Sequence, residues 1–429
     1  MPFELTMLVF FGMILFGIPI AFSMMATAAL YFALGPVPAF VELLPQKIYE
    51  GTDFIVLTAI PFFLLAGELM NRSGMAERLM DFAELVVGRI RGGFAYVNVL
   101  ASLLFSGLTG VAVGDIAALG KIEVHAMEKA GYPRAFAAAV TVASSLVGPI
   151  IPPSGVIILY CAIMNVSVGA MFLAAIIPGI LMAVADMIVI AAQARVRSFP
   201  KSSVTYSARA AVSRTKDASL AVLMPVFLIG GIVSGLMTPT EAAGASVLYA
   251  LLVGVVVYRA IDGRSLIRII GGTAFEAARL LFMIGAALTM SWIFALEDVS
   301  GMARDLFAVA GDNTILLILI VNLLFLVIGM FMDSALALIL FAPVIAPIAY
   351  AAGITPVQLG IMLITNVTIG LATPPIGNVL FAMCGVVNVR FGALVRELLP
   401  FLALKFVMLI LIGLIPALTI TIPRLAGYN

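Results

Sequence analysis

The sequence predicts an all-α polytopic membrane protein built as two inverted repeats, each with a re-entrant hairpin and a discontinuous transmembrane helix. Three observations predict it. Of 429 residues only 10% are charged and 63% are hydrophobic, with a mean hydropathy of +1.22, whereas a soluble domain carries about 25% charged residues. Apolar stretches near 20 residues recur, the length that spans about 30 Å of hydrocarbon, and the alternating ~10-residue segments of an outer-membrane barrel do not. Finally, Gly and Pro recur in two halves at a fixed offset of 222: Gly107 and Gly329, Ala130-Gly131 and Ala352-Gly353, Gly148 and Gly370, Pro152-Pro153 and Pro374-Pro375, Gly155 and Gly377, Pro178 and Pro400. Such a run in one register points to a duplication.

The elements follow in order. The opening MPFELTMLVFFGMILFG lacks the basic n-region and small-residue cleavage site of a secretory signal, so it reads as a first membrane segment. Spans are expected at 4–16, 18–34 and 54–72, forming with later helices a scaffold. The stretch 76–91, AERLMDFAELVVGRIR, alternates apolar and charged positions with helical period and suits a surface arm. The stretch 94–130 is too long for one crossing and has a glycine-rich middle, SGLTGVAVGD at 106–115. Two half-helices of ~15 residues reach only about 22 Å, so a hairpin that enters and leaves on one side fits. A broken helix over 134–164 and a helix over 168–195 complete the first repeat, 1–195.

The linker 196–217 follows Arg195 and contains KSS, RAAV and SRTK; the stretch 195–216 holds six basic residues and no acid, which makes it cytoplasmic. The second repeat, 218–429, reads as scaffold spans 218–235, 239–259 and 272–296, a hairpin at 314–352 around IGMFMDSA, a broken helix at 356–386 and a last helix at 394–423. GLMTPTEAAG, 235–244, reads as a turn in which Thr238 caps a helix, Pro239 opens it and Glu241 lies in its first turn.

With a hairpin in each half, each half crosses an odd number of times, and the second half is inverted relative to the first. The charges agree. From a periplasmic N-terminus, 18 of the 23 Lys and Arg fall on the cytoplasmic side, among them Arg72, Arg89, Lys121, Arg134, Arg214, Arg268 and Arg390. Only Lys47, Arg304 and Arg424 fall on the periplasmic side, and Arg279 and Lys405 within crossings.

In this topology the two hairpin tips meet near the midplane beside GPIIPPSG, 148–155, and NVTIGLATPPIGN, 366–378. Breaking a membrane helix there frees carbonyls that bind a cation and exposes half-helix N-termini that favour an anion. Hydroxyl, amide and carbonyl oxygens suit an alkali cation, and Cys161 and Cys384 are too isolated for a metal site or a disulfide framework. The expected anion ligands are Ser154, Thr109, Thr373 and Asn378. Asp333 is expected beside a cation, from its charge and its place at the second tip.

The segments GLTGVAVGDIAALG (107–120), AGYPRAFAAAVTVASSLVGPIIPPS (130–154), GLMTPTEAAG (235–244) and TIGLATPPIGNVLF (368–381) resemble the large membrane subunit, the DctM-like M subunit, of TRAP transporters. The resemblance covers essentially the whole chain. It implies an elevator-type, sodium-coupled secondary transporter of the bacterial inner membrane. A periplasmic solute-binding protein would feed it a small organic acid, and it would pair with a separate small four-helix membrane subunit. It also implies sodium sites at hairpin tips and helix breaks, which fall here on Ser106, Gly148 and Pro149 and on Gly329, Gly370 and Thr373.

Two other classes are weaker. A stand-alone divalent anion:sodium symporter shares hairpins and inverted halves but not these motifs. A membrane enzyme needs ionisable groups clustered at depth, and the sequence offers few acids and one histidine. The expected partners are therefore protein subunits, membrane lipid and sodium as coupling ion, with no cofactor and no nucleic acid.

Overall fold

The computed structural model describes residues 2–109, 112–197, 199, 208–311 and 313–428; the side chains of 76, 106–109, 118, 208, 210 and 306 lie outside that description. All regular structure among the described residues is helical, and eight helical stretches there are long and apolar enough to cross a membrane. The chain is a multi-pass membrane protein.

The first half runs α1 (Phe3–Leu15), α2 (Ile20–Ala33), α3 (Leu44–Thr52), α4 (Ala59–Arg72), α5 (Met75–Val87), α6 (Gly93–Thr109), α7 (Ala112–Lys129), α8 (Arg134–Ser145), α9 (Gly155–Met164) and α10 (Val168–Val196). The second half runs α11 (Ala208–Val233), α12 (Pro239–Leu251), α13 (Gly263–Leu296), α14 (Val299–Phe307), α15 (Thr314–Phe331), α16 (Ser334–Ala351), α17 (Pro356–Gly370), α18 (Asn378–Val387), α19 (Phe391–Leu414) and α20 (Ala417–Leu425).

The repeat read from glycines and prolines is also a repeat of elements. α7 and α16 begin and end 222 residues apart, and α8 and α17 begin at the same offset. Gly131 and Gly353, at that offset, both take positive φ, as do Asn165 and Asn388 at the C-termini of α9 and α18. The Pro152-Pro153 and Pro374-Pro375 bonds are both cis.

Packing interleaves the halves. α6 lies on α7 and α8, and α15 on α16 and α17, so each hairpin sits against its own broken helix. Across the halves, α18 packs on α7 and α9 on α16, so the segment after each break rests on the other half's hairpin. Opposite this bundle, α13 packs along α2, α3, α4 and α16, and α12 packs on α4. The expected arm is α5, which lies against α6 and α11 through a buried face of Met75, Leu79 and Ala83.

Local chemistry explains the boundaries. Thr238 Oγ1 accepts from the Glu241 N–H at 3.3 Å while Glu241 Oε2 accepts from the Thr238 N–H at 2.8 Å, the capping box expected for α12. Several boundaries differ from the sequence reading: α13, expected over 272–296, begins at Gly263, and the arm expected over 76–91 ends as a helix at Val87. The last helix, expected unbroken over 394–423, is interrupted at Ile415-Pro416, because Pro416 has no N–H to continue the helical ladder. The linker expected over 196–217 is helical from Ala208, so its second part is the first turns of α11. α3 and α14 were not expected; each is nine residues, shorter than a hydropathy window resolves.

Candidate functional site

A cavity lies where the two halves interleave. One wall is Pro149, Pro153, Gly155, Val156 and Leu159, from the α8–α9 break and the start of α9. Ala112 and Val113 of α7 and Asp333, Ser334 and Ala335 at the start of α16 bring both hairpins to it, and Leu371 brings the second break. Facing them are apolar side chains of α4 and α13: Ile60, Phe63, Leu64, Leu280 and Ile284. Such an apolar wall makes no directional bonds to the polar breaks opposite.

At the first break, α8 ends at Ser145 and α9 begins at Gly155. Ser154 caps α9: its Oγ donates to Pro149 O at 2.6 Å and accepts from the Ile157 N–H at 3.4 Å. The serine is thus buried beneath the cavity wall, holding the loop's shape. Gly148 is required by close approach: a Cβ there would meet Asp115 Oδ2 at 2.6 Å and Ser145 O at 3.2 Å. The acid of α7 thereby reaches over the broken backbone.

At the second break, Gly329 of α15 and Gly370 of α17 meet face to face. A Cβ on Gly370 would lie 2.8 Å from the Gly329 backbone, and one on Gly329 would lie 2.8 Å from Val367 O. Only glycine on both helices allows this approach, and a Cβ on Gly370 would also lie 3.0 Å from Leu326 O of α15. Thr373 is buried beside it and donates its hydroxyl proton to Ile369 O at 2.8 Å. Because Oγ1 is the donor in that bond, its lone pairs remain available to a cation. Asp333 caps α16 by accepting from the Ala335 N–H at 2.9 Å. It lines the cavity together with Ser334, whose buried Oγ has no hydrogen-bond partner among the described residues.

Of the residues expected from sequence, Pro149 and Asp333 line the cavity, and Gly148 and Ser154 build its wall from behind. Gly329, Gly370 and Thr373 form one cluster, outside the cavity lining. Asn378 is exposed on the first turn of α18, and the cavity lining does not include it. The side chains of Ser106 and Thr109 lie outside the described residues. Among the described residues there is no group of three or more His, Cys, Asp and Glu arranged for a metal ion.

Sequence reasoning missed two buried polar clusters. Between α6, α7 and α8, Asn98 donates to Thr141 Oγ1 at 2.7 Å, Ser144 donates to Asn98 Oδ1 at 2.8 Å, and Ser102 joins Ser144 at 3.0 Å beside buried Glu123. Between α15 and α17, Asn366 donates to Asn322 O at 2.8 Å and to Asn322 Oδ1 at 2.9 Å. Both clusters bind the first arm of a hairpin to the helix before the break. An apolar chain's isolated Asn and Ser residues gave the signal, and their pairing across distant helices is what sequence could not supply.

Comparison with known proteins agrees with this architecture. Residues 7–418 match the family model described as the tripartite ATP-independent periplasmic transporter, DctM component. The sialic acid TRAP transporter large permease protein SiaM of Vibrio cholerae is 39% identical over 97% of this chain and 98% of its own. The C4-dicarboxylate TRAP transporter large permease protein DctM of Pseudomonas aeruginosa is 36% identical, covering 91% and 92%. The 2,3-diketo-L-gulonate TRAP transporter large permease protein YiaN of Escherichia coli is 34% identical, covering 97% and 98%. In fold, the Alcanivorax borkumensis YdaH transporter, described as having an unusual topology, matches with a TM-score of 0.59 at 15% identity over 88% of each chain. With matched hairpins, matched helix breaks and this similarity along nearly its full length, the chain belongs to the DctM component family of tripartite ATP-independent periplasmic transporters.

Proposed function

We propose that this chain is the large membrane subunit of a sodium-coupled importer of small organic carboxylates, working by an elevator mechanism in the bacterial inner membrane. A periplasmic substrate-binding protein delivers the anion, and a small four-helix subunit completes the membrane complex. The observation that carries the reading is the cavity itself. It joins the first half's break to the second half's hairpin and faces an apolar wall of α4 and α13.

The charge arrangement supports cation coupling. Asp333 lines the cavity, so an organic anion held there meets a like charge unless a cation lies between them. Oxygen donors for sodium are at hand: carbonyls at the Gly329–Gly370 crossing with Thr373 Oγ1 in the second half, and the Gly148–Pro149 loop under Asp115 in the first, with Ser106 at that hairpin's tip. The anion is then held by N–H groups at the half-helix starts and by hydroxyls such as Ser334.

A second, larger cavity shares Leu64, Val113 and Leu280 with the first and reaches Arg72 and Arg268. Both arginines fall on the cytoplasmic side of the inverted topology, which makes this an inward-facing arrangement. The apolar α4–α13 wall suits a surface along which the hairpins and broken helices move as a body. The carboxylates in the names of the relatives, sialic acid, C4-dicarboxylates and diketogulonate, mark the substrate class.

The test is uptake of labelled carboxylates into proteoliposomes under an inward sodium gradient, with the binding protein and the small subunit present or omitted. Uptake is expected only with all three proteins and the gradient. Uptake by this chain without the binding protein would favour a stand-alone anion:sodium symporter, and uptake indifferent to sodium would refute the coupling.

A further inference from the structure

We propose that the cytoplasmic vestibule holds a second, weaker carboxylate site in which Arg268 of α13 is the counter-ion, a station the substrate occupies after leaving the central cavity. The inference rests on the transport reading above, and its readout is separate from that reading's.

The vestibule lies between α4, α7 and α13 and adjoins the central cavity, with which it shares the lining residues Leu64, Val113 and Leu280. Its charged lining residues are Glu68, Arg72, Arg268 and Glu276. Three of them are already neutralised. Arg72 Nε lies 2.8 Å from Glu68 Oε1, and Glu276 is held by Arg279 at 3.1 Å. Arg268 alone makes no ion pair among the described residues; the carboxylate whose charge it influences, Asp262, has its Oδ1 on the Ser265 N–H at the start of α13. With Arg279 reaching in to Glu276, Arg268 is the one charged lining residue that has no opposite charge held against it among the described residues.

The setting suits an anion with hydroxyl groups. Asn71, Ser265 and Thr273 line the same space and supply amide and hydroxyl partners, while Leu64, Ile269 and Leu280 give it an apolar floor. A planar guanidinium binds a carboxylate through two parallel hydrogen bonds. Its exposure keeps the interaction weak, which a release station requires, since a tight site on the path out would hold the product.

The experiment is equilibrium binding of N-acetylneuraminate and of succinate, by ligand-observed NMR, to the membrane complex in zwitterionic-lipid nanodiscs in sodium-free buffer. Removing sodium weakens the coupled central site and leaves the vestibule. The expected result is weak, salt-sensitive binding of at least one probe, reduced about three- to fivefold by Arg268→Gln. It should be only partly kept by Arg268→Lys, which retains the charge and loses the two-bond fork, and unchanged by Arg264→Gln, a neighbouring exposed arginine outside the vestibule.

No sodium-independent binding of either probe, or equal binding by wild type and Arg268→Gln, overturns the proposal. Repeating the measurement in phosphatidylglycerol nanodiscs separates substrate from lipid: binding should persist, and its loss there would assign Arg268 to a lipid headgroup and overturn the substrate site. Failure of sodium-driven uptake would be seen in the liposome assay alone, so the two readings fail independently.

Discussion

Lys405 of α19 places its Nζ 2.9 Å from Asp186 Oδ2 of α10, and the two side chains are 1% and 0% exposed. The helices come one from each half, so an ion pair in the protein interior ties the last long helix of the first repeat to that of the second. Asp186 Oδ1 has no further hydrogen-bond partner among the described residues, so Lys405 is what compensates this acid.

Removing one partner leaves a buried charge without its counter-ion, which costs about 3–5 kcal/mol in protein interiors. Lys405→Met and Asp186→Leu should each lower the thermal unfolding temperature of the purified complex sharply. The double variant should recover most of the loss, because two apolar side chains of similar volume can replace the pair. A double variant no better than the worse single one would mean that the pair is not the source of the loss.

How much of this was legible beforehand depends on the physics behind each feature. The hairpins and breaks were readable because Gly148, Pro149, Pro152 and Gly370 interrupt apolar runs, and a membrane helix carries such interruptions where protein re-satisfies the freed backbone. Asp333 was readable because a carboxylate in an apolar stretch is costly without a purpose. The Lys405–Asp186 pair was not, since 219 residues separate the partners and nothing in either helix names the other. The apolar wall of Ile60, Phe63, Leu280 and Ile284 was not legible either, because in a chain this hydrophobic an aliphatic side chain facing a cavity reads like one facing lipid. Asn378 drew notice as a polar residue beside a break, but as the first residue of α18 it is exposed, away from the cavity lining.

The Gly329–Gly370 crossing gives a steric prediction. Gly370→Ala puts a methyl group 2.8 Å from the Gly329 backbone, closer than real contacts allow, so α15 and α17 must separate. Overpacking of this kind costs about 1–3 kcal/mol. The variant should be less heat-stable, and its half-saturating sodium concentration should rise. Gly392→Ala, where an added Cβ meets nothing within 4 Å, is the control and should leave both unchanged. Wild-type sodium dependence in Gly370→Ala would remove this crossing from the ion site.

Topology can be tested by accessibility. Ser213, near the start of α11, and Asn313, which caps α15, are both exposed. With the two native cysteines replaced, Ser213→Cys should react with a membrane-impermeant maleimide only from the cytoplasmic face, and Asn313→Cys only from the periplasmic face. Labelling of both from one side would contradict the inverted arrangement of the halves.

Thr373 gives the sharpest test of coupling, because its side chain can be changed without touching the carbonyls around it. Its hydroxyl donates to Ile369 O within α17's last turn, so the oxygen keeps lone pairs for an ion at the neighbouring Gly329–Gly370 crossing. Thr373→Ala removes that oxygen and leaves the backbone oxygens. Half-saturating sodium for uptake should rise by roughly tenfold, the scale of losing one interaction with a charged group. The maximal rate at saturating sodium should be largely recovered, since the ion can still bind the carbonyls. Thr373→Ser keeps the oxygen and should stay near wild type, which separates coordination from a packing defect caused by losing the methyl group. A substrate ligand would behave differently: its removal would raise the half-saturating substrate concentration at every sodium concentration. Uptake by Thr373→Ala that falls by the same factor at low and high sodium would therefore exclude Thr373 from the ion's coordination.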